Sequence, residues 1–222
     1  PRFRDASGAP VEPAEIVSSM TTAALVGQTL MVGYEGGYPS EELLDFIRDA
    51  GLGGVKVFGW NSEDLVTMTE GIVTMQDTAT DSSFGIPLFV ATDQEGGWVR
   101  HVKGATTDTP GNLAIGSSGV PWDAYESALL IGRELAALGI NMNFAPTVDV
   151  YTDPDADVIG PRAFSADPID TALLSLAYFR GLERAGVIAT AKHYPGHGNT
   201  HVDSHGTLPV IQDSFDTLLE RD

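Results

Sequence analysis

The sequence predicts an α/β fold built on a parallel sheet, and two observations carry that prediction. Short apolar runs rich in β-branched residues alternate with stretches whose apolar residues recur at +3/+4 spacing, the pattern of strands each followed by a core-facing helix. The runs also end in polar or glycine-rich sequence, which is where parallel α/β proteins assemble their sites. With 222 residues, 25 glycines and 42% hydrophobic content, one domain with a sizeable core and many tight loops is expected.

The opening PRFRDASGAPVEPAE is polar and poorly patterned, so residues 1–20 read as a tail or linker. A helical segment near Thr21–Gln28 precedes a first strand, Leu30–Tyr34. Ser40 can cap a helix reaching Ala50, with Leu43, Leu44, Phe46 and Ile47 facing in and Gly51 after its end. Val55–Phe58 is the second strand. Ser62 precedes a helix striped by Leu65, Met68, Ile72, Met75 and Ala79, so packing accounts for both methionines. Pro87–Thr92 and Asn141–Ala145 are strands three and four, separated by a helix with Ala124, Ala128, Ile131, Leu135 and Leu138 in register and Gly139 as its stop. Pro168 starts a helix with Ile169, Leu173, Leu176, Phe179 and Leu182 facing in, ended by Gly186. Val187–Ala191 is the fifth strand, and Asp213 or Ser214 opens a last helix.

Composition narrows the function. The net charge is −19, from 31 acidic against 12 basic residues, which argues against nucleic acid or an anionic membrane as a partner. Cysteine is absent, excluding disulfides and thiolate chemistry, and no apolar run reaches the length of a membrane span. The chain starts at a proline and shows no signal peptide; the expectation is an exported or cell-envelope bacterial protein that lacks its leader. Only three lysines occur, Lys56, Lys103 and Lys192.

The chemistry concentrates after the fifth strand, in Val187–Pro209. His193, His197, His201 and His205 are four apart, but Pro195, Gly196, Gly198, Gly206 and Pro209 forbid a helix, so this is a long loop. Three readings are open. The histidines can simply satisfy backbone groups on the surface. They can bind a metal, since His and Asp are common zinc ligands. Or Asp203 and His205 can work as an acid–base pair, because a carboxylate beside an imidazole favours the cation and orients the ring.

Lys192-His193-Tyr194-Pro195-Gly196-His197-Gly198-Asn199-Thr200, followed by Asp203-Ser204-His205 and Leu208-Pro209, resembles the signature of glycoside hydrolase family 3, in particular its β-N-acetylglucosaminidase branch. Three further stretches resemble family motifs: Asp93-Gln94-Glu95-Gly96-Gly97, Asn141 through Val150, and Ile159-Gly160-Pro161-Arg162-Ala163-Phe164. The resemblance implies a (β/α)8 TIM-type barrel. It also implies a retaining hydrolase that removes terminal β-linked N-acetylglucosamine from peptidoglycan- or chitin-derived oligosaccharides, with no metal or other cofactor. By the same resemblance His205 and Asp203 are the general acid/base pair, and Asp93, Arg162, Lys192 and His193 bind substrate.

Residue chemistry sits beside that reading. An ionised Asp93 suits two adjacent sugar hydroxyls, though a turn aspartate capping amides is an equal alternative. Arg162 can fork onto sugar oxygens or form an ion pair. Asp149 reads as structural, bonding loop amides. A histidine base does not repel an anionic acceptor, which leaves phosphorolysis open. The chain also departs from the family: His101 stands where arginine is usual, and Trp98 where arginine is frequent. Arg100 points elsewhere if the segment is extended, so the replacement for the missing guanidinium is open. Trp98 can stack on a pyranose or pack, packing being the commoner fate.

About five strand–helix units are present, against eight in a closed barrel. The family's nucleophile lies on a later strand, and no segment here matches it. The chain therefore reads as residues 21–222 of a C-terminally incomplete catalytic barrel domain. An inactive sugar-binding remnant is the alternative, followed by a metal-dependent hydrolase. An incomplete barrel exposes sheet edges, so self-association is expected.

Overall fold

The computed structural model describes residues 12–200, 206 and 208–221. Helix α1 (Pro13–Ser19) buries no residue, so part of the expected tail is helical but adds nothing to the core. Three helix–strand units follow: α2 (Thr22–Gln28) with β1 (Met31–Gly33), α3 (Glu41–Ala50) with β2 (Gly54–Val57), and α4 (Leu65–Thr80) with β3 (Phe89–Thr92). A hairpin of β4 (Gln94–Gly96) and β5 (Val99–Arg100) interrupts the alternation. Then α5 (Asn112–Gly116) and α6 (Pro121–Ala137) lead to β6 (Met142–Asn143), α7 (Pro168–Ala185) leads to β7 (Ile188–Ala189), and α8 (Phe215–Arg221) comes last.

The main sheet has the order β1-β2-β3-β6-β7, and every neighbouring pair is parallel. All five expected strands are present, four with a shorter ladder than the apolar run and β2 shifted by one residue to Gly54–Val57. Asparagine side chains extend the β3–β6 pairing beyond its two register pairs. Asn141 accepts from Val90 N at 2.8 Å and donates to Leu88 O at 2.9 Å. Asn143 accepts from Gln94 N and donates to Gln94 O, both at 2.9 Å. Buried amides thus find partners where the strands diverge.

Val55, Val57 and Val90 are fully buried, and Met68, Ile72, Met75, Ile131, Leu135, Tyr178 and Leu182 join them in one core. Met68, Ile72, Met75 and Ala79 of the expected α4 stripe are buried, but Asp64 caps that helix, accepting from Val66 N at 3.0 Å. Ser62 lies in the preceding 3-10 turn, Gly59–Ser62. On α3 Leu44 and Ile47 are buried and Leu43 packs against the core as expected, while Phe46 is exposed.

Helix α7 keeps Leu182 inside as expected but otherwise turns a different face inward. Ile169, Leu173 and Leu176 are exposed, and the inner face is Thr171, Leu174, Ser175, Tyr178, Gly181 and Leu182. Leucines lie on both sides of this helix, so apolar periodicity alone cannot choose between them. Close approach to α6 decides: a Cβ on Gly181 would lie 2.4 Å from Tyr125 O and 2.8 Å from the Ala128 Cβ. Tyr178 fixes the same rotation, donating its hydroxyl towards Glu95 O at 3.1 Å. No helix among the described residues is long and apolar enough to cross a membrane.

Gly181→Ala is expected to destabilise the protein by about 1–3 kcal/mol through overpacking of the α6–α7 contact, read as a lower urea midpoint. An equivalent change at Gly119, where an added Cβ meets nothing within 4 Å, tests backbone strain alone, since its φ is +64°.

Candidate active site

Strand ends bring the polar residues together. Asp93 directly follows β3, and Lys56 lies on β2 between the buried Val55 and Val57, on the other face of the strand. The turn after Asp93 is held by Gln94, whose side chain donates to Val102 O at 2.8 Å and accepts from Val102 N at 3.0 Å. Gly97, at φ +56°, allows the hairpin to reverse against Gly111, whose Cα would lie 2.6 Å from an added Cβ. This fold-back directs Glu95 inward, its side chain only 1% exposed.

Around Glu95 the charges alternate. Arg162 forms a two-pronged pair with it, Nε to Oε2 at 3.0 Å and Nη2 to Oε1 at 2.9 Å. Lys192 Nζ bridges Glu95 Oε1 at 2.5 Å and Asp93 Oδ1 at 2.6 Å. Lys56 Nζ holds the other Asp93 oxygen, Oδ2, at 2.7 Å. On the far side Arg162 Nη2 lies 3.3 Å from His193 Nε2, and His193 Nδ1 lies 2.6 Å from Asp149 Oδ2. A guanidinium can only donate, so these partners assign Nε2 as acceptor and Nδ1–H as donor to Asp149. Asp149 Oδ1 also accepts from the amides of His193 at 3.3 Å and His197 at 2.6 Å. Lys56, Asp93, Arg162, Lys192 and His193 line a cavity of about 320 Å³, walled also by Phe58, His101, Val158 and His197.

Burial opposes ionisation of both Asp93 and Glu95, yet each carboxyl is held below the ordinary carboxylate range. For Asp93 the ammonium groups of Lys192 and Lys56 outweigh desolvation, and for Glu95 Arg162 and Lys192 do. His101 moves down, chiefly through burial, with Asp93 opposing the shift. Arg162 moves up despite its own burial because Glu95 stabilises the cation.

Of the substrate-binding residues expected from sequence, Asp93, Arg162, Lys192 and His193 all meet in this cavity. Asp203 and His205 lie outside the described residues, as does His201. Asp149 bonds loop amides as expected, and it also holds the His193 ring. Arg100 points away from Asp93, ion-paired with Asp108. Trp98 does not pack: it is 76% exposed. The rings that do stack are Trp60 on Phe58, with centroids 4.4 Å apart, and Phe58 on His101 at 5.6 Å. Two participants escaped the sequence reading. Glu95 sits inside a recognised motif but was given no role, and Lys56 interrupts an apolar strand, an anomaly that marks an inward-facing charge.

Residues 21–222 match the model of the glycosyl hydrolase family 3 N-terminal domain. The chain belongs to glycosyl hydrolase family 3. It is 37% identical to beta-hexosaminidase A of Pseudoalteromonas piscicida over 91% of this chain and 37% of that protein. It is 33% identical to a beta-hexosaminidase of Xylella fastidiosa over 87% of this chain and 57% of that one. The chain thus spans between about a third and three-fifths of these relatives. Among solved structures, a family 3 beta-N-acetylglucosaminidase from Paenibacillus matches with a TM-score of 0.87 at 38% identity, over 91% of this chain and 38% of that one. NagZ from Neisseria gonorrhoeae matches with 0.79 at 28% identity, over 87% and 56%. The α/β architecture is accordingly the TIM-like fold of the family 3 N-terminal domain.

In this family 3 domain Glu95→Gln is expected to cost about 3–5 kcal/mol, because it leaves two buried cations without their shared anion; equilibrium denaturation measures it. The pH dependence has a definite sign. Asp93 and Glu95 titrate lower in the fold than the roughly 3.9 and 4.3 of unfolded Asp and Glu. The stability they contribute is therefore complete above those values and is lost as pH falls through the lower folded ones. Urea midpoints followed into acid should show that loss, and Glu95→Gln should flatten it.

Proposed function

We propose that the cavity is the terminal-sugar site of a retaining glycosidase that releases β-linked N-acetylglucosamine from peptidoglycan- or chitin-derived oligosaccharides. The observation that carries this reading is the convergence of Asp93, Lys192, Arg162 and His193 on one cavity at the strand ends. A carboxylate flanked by fixed donors accepts from sugar hydroxyls, while the cations beside it donate to neighbouring oxygens. The names of the Pseudoalteromonas and Paenibacillus relatives support the same substrate class.

The five parallel strands correspond in this reading to the first five of an eight-stranded barrel. The exposed Ile188 on β7, together with Leu173 and Leu176 on α7, is consistent with further strand–helix units packing beyond it. The reaction is a double displacement. A carboxylate from a later strand attacks the anomeric carbon as the glycosidic bond breaks, and His205, assisted by Asp203, gives its proton to the departing oxygen. His205 then takes a proton from the water that cleaves the glycosyl–enzyme bond. The network would hold the sugar fixed through both steps, which is where orientation lowers the barrier.

In the complete enzyme His205→Ala should slow hydrolysis of substrates with poor leaving groups by about 10²–10⁴-fold, the usual contribution of general acid catalysis. Activated aryl glycosides, which leave without a proton, should lose far less. Parallel rate measurements on a β-linked disaccharide and a nitrophenyl glycoside decide the matter; equal losses on both would remove His205 from the acid role.

A further inference from the structure

Lys56 is the second cation on Asp93. Asp93 and Glu95 are already matched by Lys192 and Arg162 through contacts of 2.5–3.0 Å. Yet β2 spends an inward-facing position on a lysine between two fully buried valines, a costly choice for a strand. Its side chain is 24% exposed, at the cavity wall. One N–H reaches Asp93 Oδ2 at 2.7 Å, and the ammonium stands 4.2 Å above the Phe58 ring centroid. An ammonium carries three donors, and among the described residues Asp93 is the one acceptor recorded for Lys56. Among the described residues His101 Nδ1 is buried with no hydrogen-bond partner, 3.9 Å from the same Asp93 oxygen. One corner of the cavity therefore offers a charged acceptor beside an unspent charged donor.

That combination suits a hydroxyl, which donates and accepts at once. We propose that Lys56 is a substrate-binding residue, donating to a hydroxyl at the non-reducing end of the sugar while that hydroxyl donates to Asp93. The role rests on the reading of the cavity as a terminal-sugar site. It also gives a physical sense to the histidine at 101, where arginine is usual in the family. Positions 56 and 101 address the same Asp93 oxygen from adjacent walls, so a cation on either one serves the same corner.

The test is made in the complete enzyme with a β-linked N-acetylglucosaminide, taking the melting temperature of each variant alongside its kinetics. Lys56→Met should raise KM about tenfold or more and leave kcat within about threefold, the signature of binding lost equally from ground and transition states. Adding His101→Arg to Lys56→Met should bring KM back to within about threefold of the wild-type value, a recovery that mere packing by the lysine stem would not produce. If Lys56→Met does not fold, Lys56→Gln, a neutral donor of shorter reach, takes its place with the same expectations. Unchanged KM in a folded variant, or no recovery on adding the arginine, overturns the role of Lys56. Wild-type enzyme that fails to hydrolyse the substrate overturns both the role and the reading beneath it, whereas active wild type with an indifferent Lys56 variant overturns the role alone.

Discussion

A line of alternating charge, from Lys56 through Asp93, Lys192, Glu95 and Arg162 to His193 and Asp149, is what the site depends on. Its central member, Glu95, is almost wholly removed from water, where an unpaired carboxylate would be severely penalised. It persists there because two cations reach it, and each of those is held by a further partner. Strands β2, β3, β6 and β7 and the 3-10 turn at Gly160–Arg162 each deliver a member. The line therefore helps fix the relative positions of the loops that leave these strands. Under the proposed function, a sugar entering the cavity would meet donors and acceptors already in place, leaving little reorganisation for the moment of binding.

Asp149 extends this order towards the long loop. One of its oxygens orients the His193 ring and the other accepts from the amides of His193 and His197. Thr200 Oγ1 contacts the His197 ring and donates to His197 O, so the loop is tied down at its root as far as Thr200. A buried carboxylate thereby connects the cavity residues to the stretch that carries Asp203 and His205. In so acidic a chain, two of the three lysines lie in this one cavity while Lys103 remains exposed. Positive charge is scarce here, and its concentration at the strand ends follows from the carboxylates it must match.

The chain by itself determined the succession of the five parallel strands with their main helices, and the residues that gather at the strand ends. Alternating apolar runs carry their own period, and the motifs around Asp93, Arg162 and Lys192-His193 lie at strand ends that any parallel sheet brings to one side. Only the tertiary structure decided which face of α7 turns inward, because Leu173 and Leu176 match the apolar pattern as well as Leu174 and Tyr178 do. Contact with α6 at Gly181 made the choice. Only the fold, likewise, gave Glu95 and Lys56 their partners, which lie 67 residues away at Arg162 and 37 residues away at Asp93. Local sequence records period and turn chemistry, whereas the pairing of charges across strands is fixed by distances that exist once the sheet has formed.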